Sequence, residues 1–170
     1  MPDTSYMIGI DIGGTHTRIG AVQSDGTVIS HRIESSRQYP ANAHPVKMLT
    51  LAIAKYAAET PGTLLGVCIG FPGTVSKDKS TVLSCPNLPS FDGVNIRNAV
   101  QAVVNVPVIV EHEVLLLLTN DLLTHNLQQV DCVMAVYLGT GIGNAIYIHG
   151  RLLEGKNGTS GELGHIPVPD

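Results

Sequence analysis

The sequence predicts an α/β fold, a mixed β-sheet with flanking helices, and three observations carry that prediction. Two apolar runs end directly in glycine-rich turns, at Ile12-Gly13-Gly14-Thr15 and at Leu138-Gly139-Thr140-Gly141-Ile142-Gly143. The segment up to Ile33 reads as strand-length apolar pieces joined by turn residues, the pattern of an antiparallel meander. Beyond Pro40 a helical apolar period alternates with short continuous apolar runs, as expected where crossover helices cover a sheet.

The elements follow in order. Tyr6 to Ile10, Arg18 to Val22 and Thr27 to Ile33 are the meander strands, the last two joined by the hairpin turn Ser24-Asp25-Gly26. Val46, Leu49, Ile53 and Ala57 recur at helical spacing, which predicts a helix from about Pro45 to Ala58, stopped by Pro61-Gly62. Leu64 to Gly70 is continuously apolar, the expected signature of a strand buried on both faces, and Val108 to Val110 is the next strand. Between them Pro72 to Asn95 is rich in Pro, Ser, Asp and Gly and longer than a scaffold connection needs, so it reads as a binding loop. Glu113 to Leu123 is a helix whose Leu115–Leu118 run makes it apolar nearly all round, which predicts burial. After a linker from His125 to Val130, Cys132 to Tyr137 and Ala145 to Ile148 flank the second glycine turn. A meander followed by alternating helices and strands is the order of the ribonuclease-H-like fold of actin-like ATPases. The expected organisation is one such lobe over residues 1–125 and the first hairpin of a second over residues 131–170.

The first turn is suited to phosphate. Asp11 ends a strand where a carboxylate can face a hydrated Mg²⁺, Gly13 and Gly14 present no Cβ to phosphate oxygens, and Thr15 adds a hydroxyl donor. The plainer alternative is a tight hairpin in which Asp and Gly serve turn chemistry alone. A second glycine cluster after a second apolar run lets two turns grip one polyphosphate. Neither is a P-loop or Rossmann turn: Gly-x-x-x-x-Gly-Lys-Ser/Thr is absent, and Gly139 to Gly143 lacks the strand-to-helix context.

Composition excludes other classes. A net charge of −4 with no Lys/Arg cluster argues against a nucleic-acid partner, which needs a dense basic footprint. The charged fraction of 14% against 44% apolar residues points to surface meant for covering. Cys68, Cys85 and Cys132 are odd in number and widely spaced, so neither a disulfide framework nor a zinc ribbon is indicated. No secretory leader is seen, and no apolar stretch nears the ~18 residues of a membrane helix, so the expectation is a soluble cytoplasmic protein without a membrane partner.

With Asp11-Ile12-Gly13-Gly14-Thr15, Gly70-Phe71-Pro72, Val75-Ser76-Lys77-Asp78-Lys79, Pro86-Asn87-Leu88-Pro89, Leu138-Gly139-Thr140-Gly141 and Gly161-Glu162-Leu163-Gly164-His165-Ile166-Pro167 in this order, the chain resembles the ROK family of bacterial sugar kinases almost end to end. The resemblance implies ATP-dependent phosphorylation of a hexose at its terminal hydroxyl, in a cleft between two actin-like lobes, with D-allose the implied sugar. It implies that Asp11 sits near Mg²⁺ and that the turns Gly13-Gly14-Thr15 and Gly139-Thr140-Gly141 hold phosphates. Glu162 and His165 match sugar-bonding positions, Gly73, Thr74 and Asn87 line the same pocket, and His112 falls beside it.

Two departures accompany the resemblance. After the strand at Val108–Val110 the family places an Asp that accepts the sugar's proton, with an Asn two residues on; here the register gives Glu113 and Leu115. Glu113 keeps a carboxylate with one more methylene, and ~1 Å of displacement at a reacting centre can cost ~100-fold in rate. The alternative for Glu113 is an ordinary acidic residue in the first turn of a helix. The family's zinc cysteines follow Gly-His-Ile-Pro, whereas this sequence stops at Asp170, so no zinc is expected and an impaired kinase is. A homodimer or a complementing C-terminal half would complete it. The second expectation is a non-catalytic sugar-binding or regulatory remnant. A repressor of the same family is set aside because only five residues precede Tyr6.

Overall fold

The computed structural model describes residues 4–39, 44–139, 141–156 and 158–167. Contacts divide the chain into two compact units, Met1–Glu111 and His112–Asp170. Strands and helices in the first are β1 (Ser5–Ile12), β2 (His16–Val22), β3 (Val28–Ser35), α1 (Pro45–Glu59), β4 (Thr63–Phe71), β5 (Thr74–Val75), β6 (Thr81–Ser84), β7 (Val94–Asn95), α2 (Ile96–Val104) and β8 (Val108–His112), whose last residue crosses the boundary.

The main sheet has the order β3-β2-β1-β4-β8. β1 pairs antiparallel with β2 and parallel with β4, so the sheet is mixed, as the sequence predicts. Alternation along β1 sends Tyr6, Ile8, Ile10 and Ile12 into the core, beside Val67, Ile69 and Phe71 of β4. α1 begins with a proline in its first turn, where a missing N–H costs nothing, and lays Leu49, Ile53 and Tyr56 on that core. The Tyr6 hydroxyl donates to the Ala57 carbonyl at 3.1 Å and so ties β1 to the end of α1. Burying each such aliphatic side chain stabilises by roughly 1.5–3 kcal/mol.

Two sequence expectations for this unit change. β4 is not covered on both faces: Leu65 is exposed, because the β1–β4 register slips at Tyr6/Met7 and passes over it, and Met7 of β1 and Ile109 of β8 are exposed as well. The polar excursion is not an open loop but folds β5, β6 and β7 into a small antiparallel sheet, with Val75, Val82, Cys85, Leu88 and Phe91 driven into the core. The Phe91 ring stands edge-on to Phe71 and Tyr39, centroids 5.3 and 5.7 Å apart. The segment before Val108 is helix α2, as the alternating order implies, capped by the Asn95 side chain, which accepts the Asn98 N–H at 2.9 Å.

The second unit holds α3 (Glu113–Thr124), β9 (Cys132–Leu138), β10 (Ile142–Ile148) and β11 (Arg151–Leu152). Its antiparallel sheet, in the order β11-β10-β9, extends the expected hairpin by a strand. Val114, Leu115, Leu118 and Leu122 of α3 pack with Ala145 and Tyr147, which groups α3 with this sheet in the unit His112–Asp170. α3 is buried on that face only; Leu117 and Leu123 are exposed. The Tyr137 hydroxyl donates to Asp121 Oδ2 at 2.7 Å, joining β9 to α3, and burial, then that carboxylate, push its pKa well above the usual tyrosine value. The other sheet face exposes Met134, Val136, Leu138 and Ile142.

Candidate functional site

In the first unit the candidate site gathers at the carboxyl ends of the parallel strands β1 and β4, where open sheets commonly receive ligands. Asp11 and Gly70 are register partners across those strands, so the turn after β1 and the chain leaving β4 emerge side by side. The Gly13–Thr15 turn is tight: the Gly13 N–H donates to the His16 carbonyl at 2.9 Å. It is tethered from behind, because Ser36 N–H donates to the Thr15 carbonyl at 2.9 Å and the buried Thr17 and Ser36 hydroxyls meet at 2.9 Å. Gly14 and Thr15 are exposed.

The Asp11 carboxylate is engaged by a residue the sequence reading passed over. Arg18, its register partner on β2, donates from Nη1 to Asp11 Oδ2 at 2.8 Å. Both side chains are about half exposed, so this pair adds little stability. Its effect is orientation.

The excursion brings Asn87 to the same place. A Cβ built on Gly14 would touch Asn87 Cβ at 3.5 Å, so the phosphate turn and the Asn87 turn lie in van der Waals contact. Asn87 is exposed on a turn closed by the Leu88 N–H donating to the Cys85 carbonyl at 2.8 Å, and both ends of that turn are buried. Asp92 Oδ1 accepts the Cys85 N–H at 2.6 Å. Gly73 has an internal reason of its own: a Cβ there would overlap the Ser84 carbonyl oxygen and sit 2.9 Å from Cys85 Cα. Thr74 is the β5 partner of Ser84.

The 76–80 loop is held by charge and hydroxyls. Ser76 and Ser80 donate to Asp78 Oδ1 at 2.6 and 2.9 Å, and these bonds, Ser76 first, hold the Asp78 carboxyl below its usual range. Arg97 donates to the Asp78 carbonyl. Lys79 Nζ meets Glu111 Oε2 at 2.7 Å, and Val110 N–H donates to the Lys79 carbonyl, fastening the loop to β8. Burial, and next the Glu111 carboxylate, push the Cys68 thiol up to about 11, so it is protonated and inert near neutrality.

In the second unit the Gly139 N–H donates to the Gly141 carbonyl at 2.9 Å, closing the turn between β9 and β10; Thr140 lies outside the described residues. Among the described residues a Cβ on Gly139 or Gly141 would meet nothing within 4 Å, so none of them crowds these two glycines. Glu162 and His165 come together on one turn, Oε2 to Nε2 3.6 Å, both exposed. His112 and Glu113 are half-buried at the start of α3, Glu113 in its first turn. Leu115, two residues on, is a core residue of this unit. Among the described residues no three His, Cys, Asp or Glu side chains cluster so as to hold a metal ion. A single carboxylate at Asp11 fits Mg²⁺, which keeps several waters and takes one or two carboxylates beside phosphate oxygens.

A family model, described as the ROK family, matches residues 7–170. The chain belongs to the ROK family. Among ROK relatives, the N-acetyl-D-glucosamine kinase of Vibrio vulnificus is 30% identical over 166 residues, covering 95% of this chain and 52% of the relative. The xylose repressor of Caldicellulosiruptor bescii is 30% identical over 169 residues, covering 98% of this chain and 42% of that protein. The crystal structure of a ROK family glucokinase from Streptomyces griseus in complex with glucose and AMPPNP superposes with a TM-score of 0.82 at 30% identity, over 96% of this chain and 51% of that one. The chain spans about half the length of the curated relatives it matches. These likenesses agree with the actin-like fold.

Proposed function

We propose that this ROK chain carries the phosphate turns and sugar-side residues of an ATP-dependent hexose kinase acting in the cytoplasm, with D-allose as the hexose. The observation that carries the reading is the contact between Asn87 and Gly14, which sets a sugar-side amide against the phosphate turn. ATP with Mg²⁺ supplies the phosphoryl group and its countercharge. Asp11 lies near the cation and Gly14, Thr15, Thr140 and Gly141 offer backbone N–H groups to phosphate, while Gly13 and Gly139, whose own N–H groups close their turns, present no side chain to it. Gly73, Thr74, Asn87, His112, Glu162 and His165 orient the hexose. Glu113 takes the proton of the terminal hydroxyl as that oxygen bonds to the terminal phosphorus and ADP departs. The exposed apolar face around Met134, Val136, Leu138 and Ile142 is covered by a second copy of the chain or by a complementing C-terminal half.

A second reading, non-catalytic sugar binding, is favoured by the Arg18 guanidinium already seated on Asp11. The two are separated by mixing the chain with ATP, Mg²⁺ and D-allose and following ADP release. Kinase action predicts turnover that Glu113→Gln lowers by roughly 10²–10⁴-fold, the usual worth of a general base. Turnover that survives the substitution removes Glu113 from that role. No turnover with hexose still bound in calorimetry supports the second reading, and no binding of either ligand refutes both.

A further inference from the structure

Resting on the sugar-binding role given to Glu162 and His165, we propose that Asn144 is a positioning residue that fastens their turn to the glycine turn, making phosphate and sugar elements of this unit one rigid piece. Asn144 lies on β10 two residues after Ile142, the residue at which β10 leaves the Gly139–Gly141 turn. Its Oδ1 accepts the Leu163 N–H at 2.9 Å, across 19 residues of sequence. Leu163 begins the 3-10 turn Leu163–His165, whose internal bond runs from the His165 N–H to the Glu162 carbonyl at 3.0 Å. The turn therefore closes on itself, and Asn144 fastens its first residue to the sheet.

The surrounding backbone is shaped for this approach. A Cβ on Gly161 would come within 2.8 Å of Asn144 Nδ2 and 2.9 Å of the Asn144 carbonyl, and one on Gly164 would overlap the Ile142 carbonyl oxygen. Only a chain bare of side chains on both sides of Glu162–Leu163 lies this close to β10. The amide orientation is settled by chemistry, since the Leu163 N–H requires an oxygen opposite it. That leaves Nδ2 buried without a partner among the described residues, in a side chain 4% exposed. A leucine of similar shape would avoid the orphaned donor, so the bond made by Oδ1 is what explains an amide at this buried position.

The test uses the whole chain and two nearly isosteric variants. Asn144→Leu removes the acceptor, and Asn144→Asp retains an oxygen for Leu163. Amide hydrogen exchange followed by NMR reads the anchor itself: in the wild type the Leu163 amide is protected, in Asn144→Leu it exchanges at least about tenfold faster while Ala145 and Tyr147 are unchanged, and in Asn144→Asp protection remains. D-Allose calorimetry reads the consequence, binding about tenfold weaker in Asn144→Leu and recovered in Asn144→Asp. Should Asn144→Leu fail to fold, wild-type protection of Leu163 and the Asn144→Asp titration still decide. A Leu163 amide that exchanges as freely as an exposed one overturns the proposal, and so does hexose affinity indifferent to Asn144→Leu. Wild-type chain that binds no hexose sinks the sugar reading instead, and Leu163 protection then still reports whether the anchor exists.

Discussion

Gly73→Ala is the substitution that best separates a rigid excursion from a pliable one. The added methyl would overlap the Ser84 carbonyl oxygen and sit 2.9 Å from Cys85 Cα, so backbone, and not the end of a flexible side chain, has to yield. Cys85 cannot retreat easily, being fully buried with its N–H bound to Asp92 Oδ1 at 2.6 Å. Relief needs the two segments to part by about 1 Å, and overpacking of this kind costs roughly 1–3 kcal/mol, a large share of the ~5–15 kcal/mol that holds a domain folded. Asn87 follows Cys85 by two residues, so the same shift displaces it from Gly14. A misplacement of ~1 Å at a binding centre is enough for a ~100-fold loss of rate. Urea unfolding measures the first effect and ADP release with ATP, Mg²⁺ and D-allose the second, with Gly9→Ala as the control, because a Cβ there meets nothing within 4 Å. The control stays within about 0.5 kcal/mol of wild type. If Gly73→Ala does the same, the steric reasoning is wrong.

Three further outcomes follow from the same structure. Phe91→Ala, at a fully buried ring stacked edge-on with Phe71 and Tyr39, costs about 3–5 kcal/mol in urea unfolding; a loss under about 1 kcal/mol would mean that the excursion is not anchored there. With the Cys68 thiol pushed up to about 11, a thiolate-selective reagent at pH 8 labels exposed Cys132 and leaves Cys68 untouched until the chain unfolds; equal labelling rates contradict the burial that protects it. Asp78 is held below its ordinary 3.8 by Ser76 and Ser80, so the stability it contributes is present above that value and is lost as pH falls through its lower folded one. Asp78→Asn is accordingly less stable than wild type near neutrality, and the gap closes on acidification; a gap independent of pH removes the carboxylate from the account.

The fold was legible where local chemistry decides. Asp25-Gly26 turns the chain because Gly26 adopts φ +87°, and α1 and α3 begin at Pro45 and Glu113 as the apolar period and helix-entry residues indicate. Burial was less legible. The run Leu64–Gly70 looks the same whether one face or two are covered, and only the slip in its pairing with β1, from Tyr6–Leu64 to Met7–Gly66, leaves Leu65 outward and exposed. Strands of two to four residues, as in β5, β6 and β7, are too short to show alternation, and their pairing depends on partners such as Ser84 for Thr74. Polar composition therefore read as loop what cross-strand hydrogen bonds organise as sheet.

The same division runs through the candidate site. Asp11, Gly13, Gly14 and Thr15 could be named from sequence because a strand ending in a carboxylate and glycines is a local signal. Arg18 could not, since it reaches Asp11 only through the antiparallel register of β1 with β2. Asn144 was hidden for the same reason, its acceptor oxygen being matched to an amide 19 residues away. The glycines divide too, and the division has a physical basis. Gly73 and Gly164 are explained from inside the chain, where backbone occupies the space a Cβ would take. Gly139 and Gly141 have open space in that direction, so no packing among the described residues forbids a side chain there. Substituting alanine in that turn thus tests what approaches from outside: a methyl that leaves stability intact but weakens phosphate binding points to close ligand approach, a requirement that neither the turn nor the core imposes.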